Sequence, residues 1–310
     1  MEKMMRIVPN HAVLGAQVQE IDLARPLNKE TFEALMMALG QHGVLEFPDQ
    51  DLTTVGLKQF SANFGELWVS PGGRAQDPEH PEVMFLSNMK EDGKPLGLAD
   101  AGQSWHTDMS YARMIALANV LYGIEVPHDA SGTPLGDTQF LNMHKVYEDL
   151  PESIKKQLEG KTITHDFNKF WEMMRQRPGS TRPPLGEKEK AARPPVQHPA
   201  FLTHPITGKK VLYANPGYAM FVNDMPREQS DELLQYLFEF QTQPEYLYSH
   251  QWKKRSVLMW DNIGTTHNAV ADYTPEQHRF MKRCQVMATR FYGAQGTAHP
   301  IMFKSTGVPA

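Results

Sequence analysis

Two short segments carry the residue types most suited to chemistry. The first is Trp105-His106-Thr107-Asp108. Residues two apart on a β-strand face the same side, so a strand here presents an imidazole beside a carboxylate. Two His and one carboxylate on one face of a metal leave the opposite positions open. That suits non-haem Fe(II), which must admit a co-substrate and O2. A His-X-Asp tripeptide alone carries little weight, because most are incidental. The second segment is Trp260-Asp261-Asn262-Ile263-Gly264-Thr265-Thr266-His267, followed by Arg279 and Arg283. These arginines, four apart, share a face in a strand or a helix. A guanidinium near a metal can clamp a carboxylate through two hydrogen bonds. Taken alone they read as surface residues. A zinc hydrolase uses a similar donor set, and a non-catalytic jelly roll could keep such a site for structure only.

Elements must hold these groups in place. Residues 28–42 read as an amphipathic helix, with Phe32, Leu35, Met36 and Leu39 at helical spacing and Gly43 after its end. Residues 53–64 suggest a second helix, 227–241 another, and 144–158 a helix that Pro151 interrupts or restarts. Strand-like pieces lie at 44–47, 83–86, 114–124, 211–214, 256–260 and 283–292. Short strands with inserted helices predict a mainly β fold with flanking helices, a jelly roll. The expectation is a single domain over 1–310, with loop or lid insertions near 68–104 and 175–199.

Composition narrows the partners. With 310 residues, 40% hydrophobic and 22% charged, the chain can bury a full core. A net charge of −5 argues against nucleic-acid binding, and the oxygenase reading expects a small-molecule substrate. Cys284 is the one cysteine, which excludes an internal disulfide or a cysteine-built metal site, and it reads as a buried inert thiol. No run of 18 apolar residues and no signal-peptide core are visible, so no membrane association and a cytoplasmic location are expected. His198-Pro199 and His204-Pro205 read as turn punctuation around a hairpin, and His128 and His165 lack an ordered partner in sequence.

Several spaced motifs in order point further: Leu14-Gly15-Ala16, Ile21-Asp22-Leu23, His42-Gly43-Val44, Phe64-Gly65-Glu66-Leu67, Gly136-Asp137-Thr138 and Tyr213-Ala214-Asn215-Pro216-Gly217, with the two segments above. Over nearly its whole length the chain resembles the taurine dioxygenase-like (TauD/TfdA) family of Fe(II)/2-oxoglutarate-dependent oxygenases. The resemblance implies a double-stranded β-helix, cupin-like in form. It implies His106, Asp108 and His267 as iron ligands, Thr138 and Arg279 as contacts of 2-oxoglutarate, and O2 as oxidant. Arg283 matches an arginine that binds the substrate's anionic group. Phe167 and Tyr218 match pocket-lining positions, Asn88 falls in the first substrate loop, and Arg74 is a helper for an anion. Ser70, Gly73 and Gly102 stand where taurine-acting members carry His, Tyr and Asn, so taurine itself is not the expected substrate. Ile263 replaces an Arg frequent in that block. Asp108 argues against a halogenase, which needs a small residue there. A homo-oligomer is compatible with the resemblance.

Overall fold

The computed structural model describes residues 5–71, 75–177, 180, 182–293 and 296–305. In chain order the first half runs β1 (Arg6–Pro9), β2 (Ala16–Gln19), α1 (Lys29–His42), β3 (Val44–Phe47), α2 (Thr54–Ala62), β4 (Val83–Ser87), β5 (Lys90–Glu91), β6 (Lys94–Pro95) and β7 (Ala116–Glu125). The middle continues with β8 (Thr138–Asn142), α3 (Met143–Asp149), α4 (Glu152–Leu158), β9 (Thr162–His165), α5 (Phe167–Arg175), α6 (Glu187–Ala191) and β10 (Val196–Pro199). The last part holds β11 (Phe201–Thr203), β12 (Lys210–Leu212), β13 (Ala219–Val222), α7 (Arg227–Gln241), β14 (Leu247–His250), β15 (Val257–Asp261), β16 (Thr265–Ala269) and β17 (Phe280–Met287). The fold is mixed α/β, with several antiparallel sheets.

Local chemistry sets the boundaries. The Asn28 side chain accepts from Thr31 N at 2.8 Å and starts α1. Gly43, at φ 68, closes it by donating to Leu39 O. Thr53 caps α2 in the same way as Asn28 caps α1. Pro151 ends the helical run at α3 and stands at the N-cap of α4, so it starts a second helix, as one of the two readings of 144–158 expected.

The largest sheet has the order β1-β2-β3-β15-β7-β17-β4, with β2–β3 parallel and the other pairs antiparallel. Alternation along its strands sorts two faces. Leu45, Phe47, Val257, Met259, Val120 and Cys284 join Leu35, Met36 and Leu39 of α1 and Leu57 and Phe60 of α2 in one core. Val44, Leu258, Trp260, Leu121 and Met281 form the other face, packed with Phe140 of β8, Tyr248 of β14 and Trp252. The second face thus meets the three-stranded sheet β14-β8-β16. The site lies where those two sheets face each other.

Three expectations change, and one helix was not expected. His106 and Asp108 do not share a strand: His106 makes an isolated antiparallel bridge with His267, and Asp108 follows in a turn. Met109, at φ 59, takes the chain out of any ladder there. The strand expected at 283–292 begins at Phe280 and ends at Met287, because the backbone turns back at Phe291 N to Ala288 O. The polar stretch 175–199 is not wholly excursion: it holds α6, and β10 pairs with β9. Helix α5, at Phe167–Arg175, went unread because its apolar residues are aromatic and Met and serve a pocket rather than the main core.

His198, at the end of β10, is buried. Its Nε2–H donates to Ala112 O at 3.0 Å and its Nδ1 accepts from the Thr297 hydroxyl at 2.9 Å. Burial holds its pKa down at about 4, against 6.5 for the free side chain. The unfolded chain therefore binds a proton that the folded chain refuses. That contribution, on the order of 3 kcal/mol, is present above pH 6.5 and is lost as pH falls toward 4. His198→Gln should flatten the fall of melting temperature between pH 6.5 and 4 by about one proton's worth, read by thermal melts across that range.

Candidate active site

His106 and His267 are brought together by their mutual backbone bridge, N to O at 2.9 and 2.8 Å, with ring centroids 4.2 Å apart. The sequence dictates this meeting only through topology: β16 carries His267 beside Phe140 of β8, and the segment before Asp108 docks on its free edge. Ligand atoms of His106, Asp108 and His267 all lie within 4.8 Å of one another, and all three residues are buried.

Proton placement decides what the cluster is for. His106 Nδ1 lies 2.8 Å from Ser104 O, so Nδ1 carries the proton and Nε2 keeps its lone pair. That lone pair faces Asp108 Oδ1 at 3.4 Å, acceptor against acceptor. His267 Nε2 stands 3.9 Å from the other carboxylate oxygen. Burial and the neighbouring His106 hold His267 well below its ordinary pKa, so it is a neutral ligand. Burial alone would raise the Asp108 pKa, but the Arg283 guanidinium beside it outweighs that and keeps the group ionised. Three converging lone-pair donors, one of them anionic, fit a divalent metal.

The neighbouring groups extend the face. Thr138 lies on β8 two residues from Phe140, opposite Ala269, and its hydroxyl accepts from Trp252 Nε1 at 2.9 Å. Arg279 is buried at 6% exposure beside Gly136, where an added Cβ would sit 3.2 Å from its Nε. Among the described residues it has no carboxylate partner: the Tyr273 side chain pairs with it and its Nε is unpaired. Arg283 donates from one terminal nitrogen to Asp108 Oδ2 at 3.0 Å, and the other lies 3.4 Å from Met84 Sδ. Phe167 and Tyr218 do meet, and they bring Tyr111, Phe170 and Met174 with them. Phe170 and Tyr218 lie 5.2 and 6.2 Å from the His106 ring. Ser70 lines a small cleft with Arg283, Trp68 and Met84. Asn88 is spent elsewhere: its Oδ1 accepts from Arg279 N at 2.8 Å and its Nδ2 donates to Gln277 O at 3.0 Å. It positions Arg279 rather than lining the cleft. Arg74 and Gly73 lie outside the described residues.

Residues 6–285 match the family model described as taurine catabolism dioxygenase TauD, TfdA family. The chain belongs to the TauD/TfdA family of α-ketoglutarate-dependent dioxygenases. It is 30% identical over 291 residues to the α-ketoglutarate-dependent 2,4-dichlorophenoxyacetate dioxygenase of Burkholderia sp. (strain RASC), covering 90% of this chain and 93% of that one. Pentalenolactone F synthase of Streptomyces avermitilis is 28% identical, over 89% and 91% of the two chains. Among solved structures, AAD-2 in complex with Mn(II) and N-oxalylglycine superposes with a TM-score of 0.77 at 27% identity, covering 95% and 99%. A taurine dioxygenase from Burkholderia xenovorans gives 0.73 at 27% identity, covering 91% and 89%.

In this TauD/TfdA dioxygenase the stretch around Arg177 and Arg182 meets the loop around Asp100 and Gln103. Arg182 grips the Asp100 carboxylate with two bonds of 2.8 and 2.7 Å while its guanidinium lies over Trp171, and Arg177 reaches Gln103 at 3.1 Å. Gly102, in the same loop, accepts from Ala269 N and would place a Cβ 3.4 Å from His106 Cε1. The Asp100–Arg182 pair thus holds a loop that packs against His106. Arg182→Ala should raise KM for the primary substrate about 3- to 10-fold and raise succinate formed per product, measured together in one assay. The size is modest because Asp100 is partly exposed.

A second group, His144, His204 and Asp261, also has ligand atoms within 4.8 Å of one another. Its protons lie differently. His204 Nδ1 accepts from Ile206 N and Thr207 N, both at 3.2 Å, so its Nε2 carries the proton and lies 2.9 Å from Asp261 Oδ2. Asp261 also accepts from Ile263 N and Gly264 N, each at 3.0 Å. This is a hydrogen-bonded brace for the 261–264 turn, not a set of free lone pairs. Ile263 buries its side chain in the helix-side core. Cys284 is buried, with its thiol pushed up to about 11 by burial, and has no part in the site. No helix among the described residues is long and apolar enough to cross a membrane.

Proposed function

We propose that this dioxygenase uses Fe(II) to oxidise, by hydroxylation, a small anionic organic substrate with an apolar or aromatic body. The observation that carries the reading is the face-to-face placement of the His106 Nε2 and Asp108 Oδ1 lone pairs, together with a buried Arg279 that has no carboxylate partner among the described residues. In this reading the large sheet and the β14-β8-β16 sheet are the two walls of a double-stranded β-helix.

When bound, Fe(II) and α-ketoglutarate supply the oxidising chemistry, consuming O2 and releasing succinate and CO2. The chain's own residues do the rest. His106, Asp108 and His267 hold the metal. Arg279 and Thr138 take the distal carboxylate of α-ketoglutarate, with Trp252 fixing the direction of the Thr138 hydroxyl. A cation without a carboxylate in a buried site is costly, and a bidentate carboxylate ligand relieves that cost. N-oxalylglycine, present with Mn(II) in the AAD-2 structure, carries the same two ends: an oxalyl chelate and a carboxylate. Arg283 keeps one donor on Asp108 and offers its other edge to the substrate's anionic group, with Ser70 as a neighbour on that side. Tyr111, Phe167, Phe170 and Tyr218 supply an apolar wall that excludes water. Relatives named for 2,4-dichlorophenoxyacetate and taurine act on molecules with an anionic end.

The test is a matched series of aryloxy carboxylates, sulfonates and their neutral amides, assayed for product and succinate. The anions should be turned over with coupled succinate, and the amides should lose at least about 30-fold in kcat/KM. Equal turnover of amides and acids would sink the anionic-substrate reading.

A further inference from the structure

We infer that Gln285, Asn119 and Asn262 form a buried one-way relay of amides that positions Asp108. The inference rests on the metal-site reading above but concerns residues outside the ligand set. Asn262 Nδ2 lies 2.7 Å from Asp108 O and 3.3 Å from Ala116 O. Both partners are carbonyls and can only accept, so the NH2 end of Asn262 must face them. Its Oδ1 then accepts from Asn119 Nδ2 at 3.2 Å, and Asn119 Oδ1 accepts from Gln285 Nε2 at 3.0 Å. The carbonyls thus fix the sense of every amide in the row. Asn119 and Asn262 are fully buried and Gln285 is 5% exposed, so none of these bonds is replaced by bulk water without cost.

The topology explains why three distant residues meet. Strand β7 runs between β15 and β17, with Asn119 opposite Trp260 on one side and Gln285 on the other. Gln285 is two residues along β17 from Arg283, on the same face. One strand therefore holds Asp108 twice: Arg283 at the carboxylate, 3.0 Å away, and the relay at the main-chain carbonyl. Asp108 needs that hold because it sits in a turn beyond the His106 bridge, with no strand ladder of its own. Groups that orient metal ligands typically matter 10- to 100-fold in metal affinity.

The experiment titrates Fe(II) anaerobically into the full chain, with Mn(II) as a second probe, and records the visible spectrum with α-ketoglutarate present. Asn262→Ala removes the donor to Asp108. Asn119→Asp, in its ionised form, accepts from Gln285 but cannot donate to Asn262, so Asn262 must turn its amide round and lose Asp108 O. Each should weaken Fe(II) binding about 10- to 100-fold and shift the absorption of the α-ketoglutarate complex. An Asn119→Ala/Asn262→Ala double variant should be no weaker than Asn262→Ala. Gln285→Met carries the test if either asparagine variant fails to fold, with a loss of about 3- to 10-fold. Asn223→Ala breaks side-chain bonds to Thr162 and Thr164, both 2.9 Å, away from the metal; it should lower the melting temperature and leave Fe(II) affinity unchanged. Folded relay variants that bind Fe(II) within twofold of wild type would overturn the relay alone. So would an equal loss in Asn223→Ala. Wild type that binds no Fe(II) would overturn the metal site itself.

Discussion

Arg279→Met is expected to raise KM for α-ketoglutarate at least about 30-fold and, in the same protein, to raise the melting temperature of the apo form. Both effects come from one fact. The Arg279 guanidinium is buried, without a carboxylate partner among the described residues, and burial lowers its proton affinity. An isolated buried cation destabilises the fold, and a methionine of similar length removes that penalty. Tyr273, its side-chain partner, is only half-buried and can turn to solvent. The gain should be a few degrees for a chain of this size. When α-ketoglutarate binds, the same cation gains a bidentate partner in a water-poor site, and removing it costs 2–5 kcal/mol by analogy with other buried charge pairs. Thermal melts with and without α-ketoglutarate separate the two effects. Wild type should be stabilised by the ligand, whereas Arg279→Met should start higher and gain nothing. A variant that melts lower and keeps wild-type KM would contradict the assignment.

Asp108→Ala should abolish turnover, with kcat reduced more than about 1,000-fold and Fe(II) affinity more than about 100-fold. Asp108 is the anionic member of the ligand set, and it also neutralises Arg283 at 3.0 Å. The variant therefore leaves two imidazoles and an uncompensated guanidinium around the metal, and the net field becomes repulsive to a cation. Asp108→Glu should not restore activity, because the relay and the His106 bridge fix the backbone from which a longer chain would reach too far. Metal titration and steady-state rates check both statements. Turnover within tenfold of wild type would refute them.

The three ligands were legible because their types and motif contexts survive in the linear chain. Their mutual geometry was not. The His106-X-Asp108 face was argued from strand alternation, yet only His106 bridges, and a turn with Met109 at φ 59 aims Asp108. Helices α1 and α7 could be read from apolar spacing and flanking Asn, Gly and Pro, since those signals are local. The amide row could not, because Asn119, Asn262 and Gln285 are ordinary residues whose adjacency exists only in the strand order β15-β7-β17. Tyr111 and Phe170 were likewise silent. One precedes a strand, and the other sits on a short helix whose apolar side reads as core until its contact with His106 is seen, 5.2 Å between rings. Asn88 was expected at the substrate, and its amide instead faces the backbone of Arg279. The brace of His204 on Asp261 was disguised as turn punctuation, and the hairpin turn is indeed where it sits.

The measurement that tests the central claim most directly is the visible spectrum of the apo-protein loaded anaerobically with one Fe(II) per chain and then with α-ketoglutarate. Wild type should develop a weak metal-to-ligand charge-transfer band. The band should be missing in Asp108→Ala and should need at least about 30-fold more α-ketoglutarate in Arg279→Met. A fully iron-loaded wild type that shows no band at saturating α-ketoglutarate would contradict the assignment of His106, Asp108, His267 and Arg279 to one α-ketoglutarate-binding metal centre.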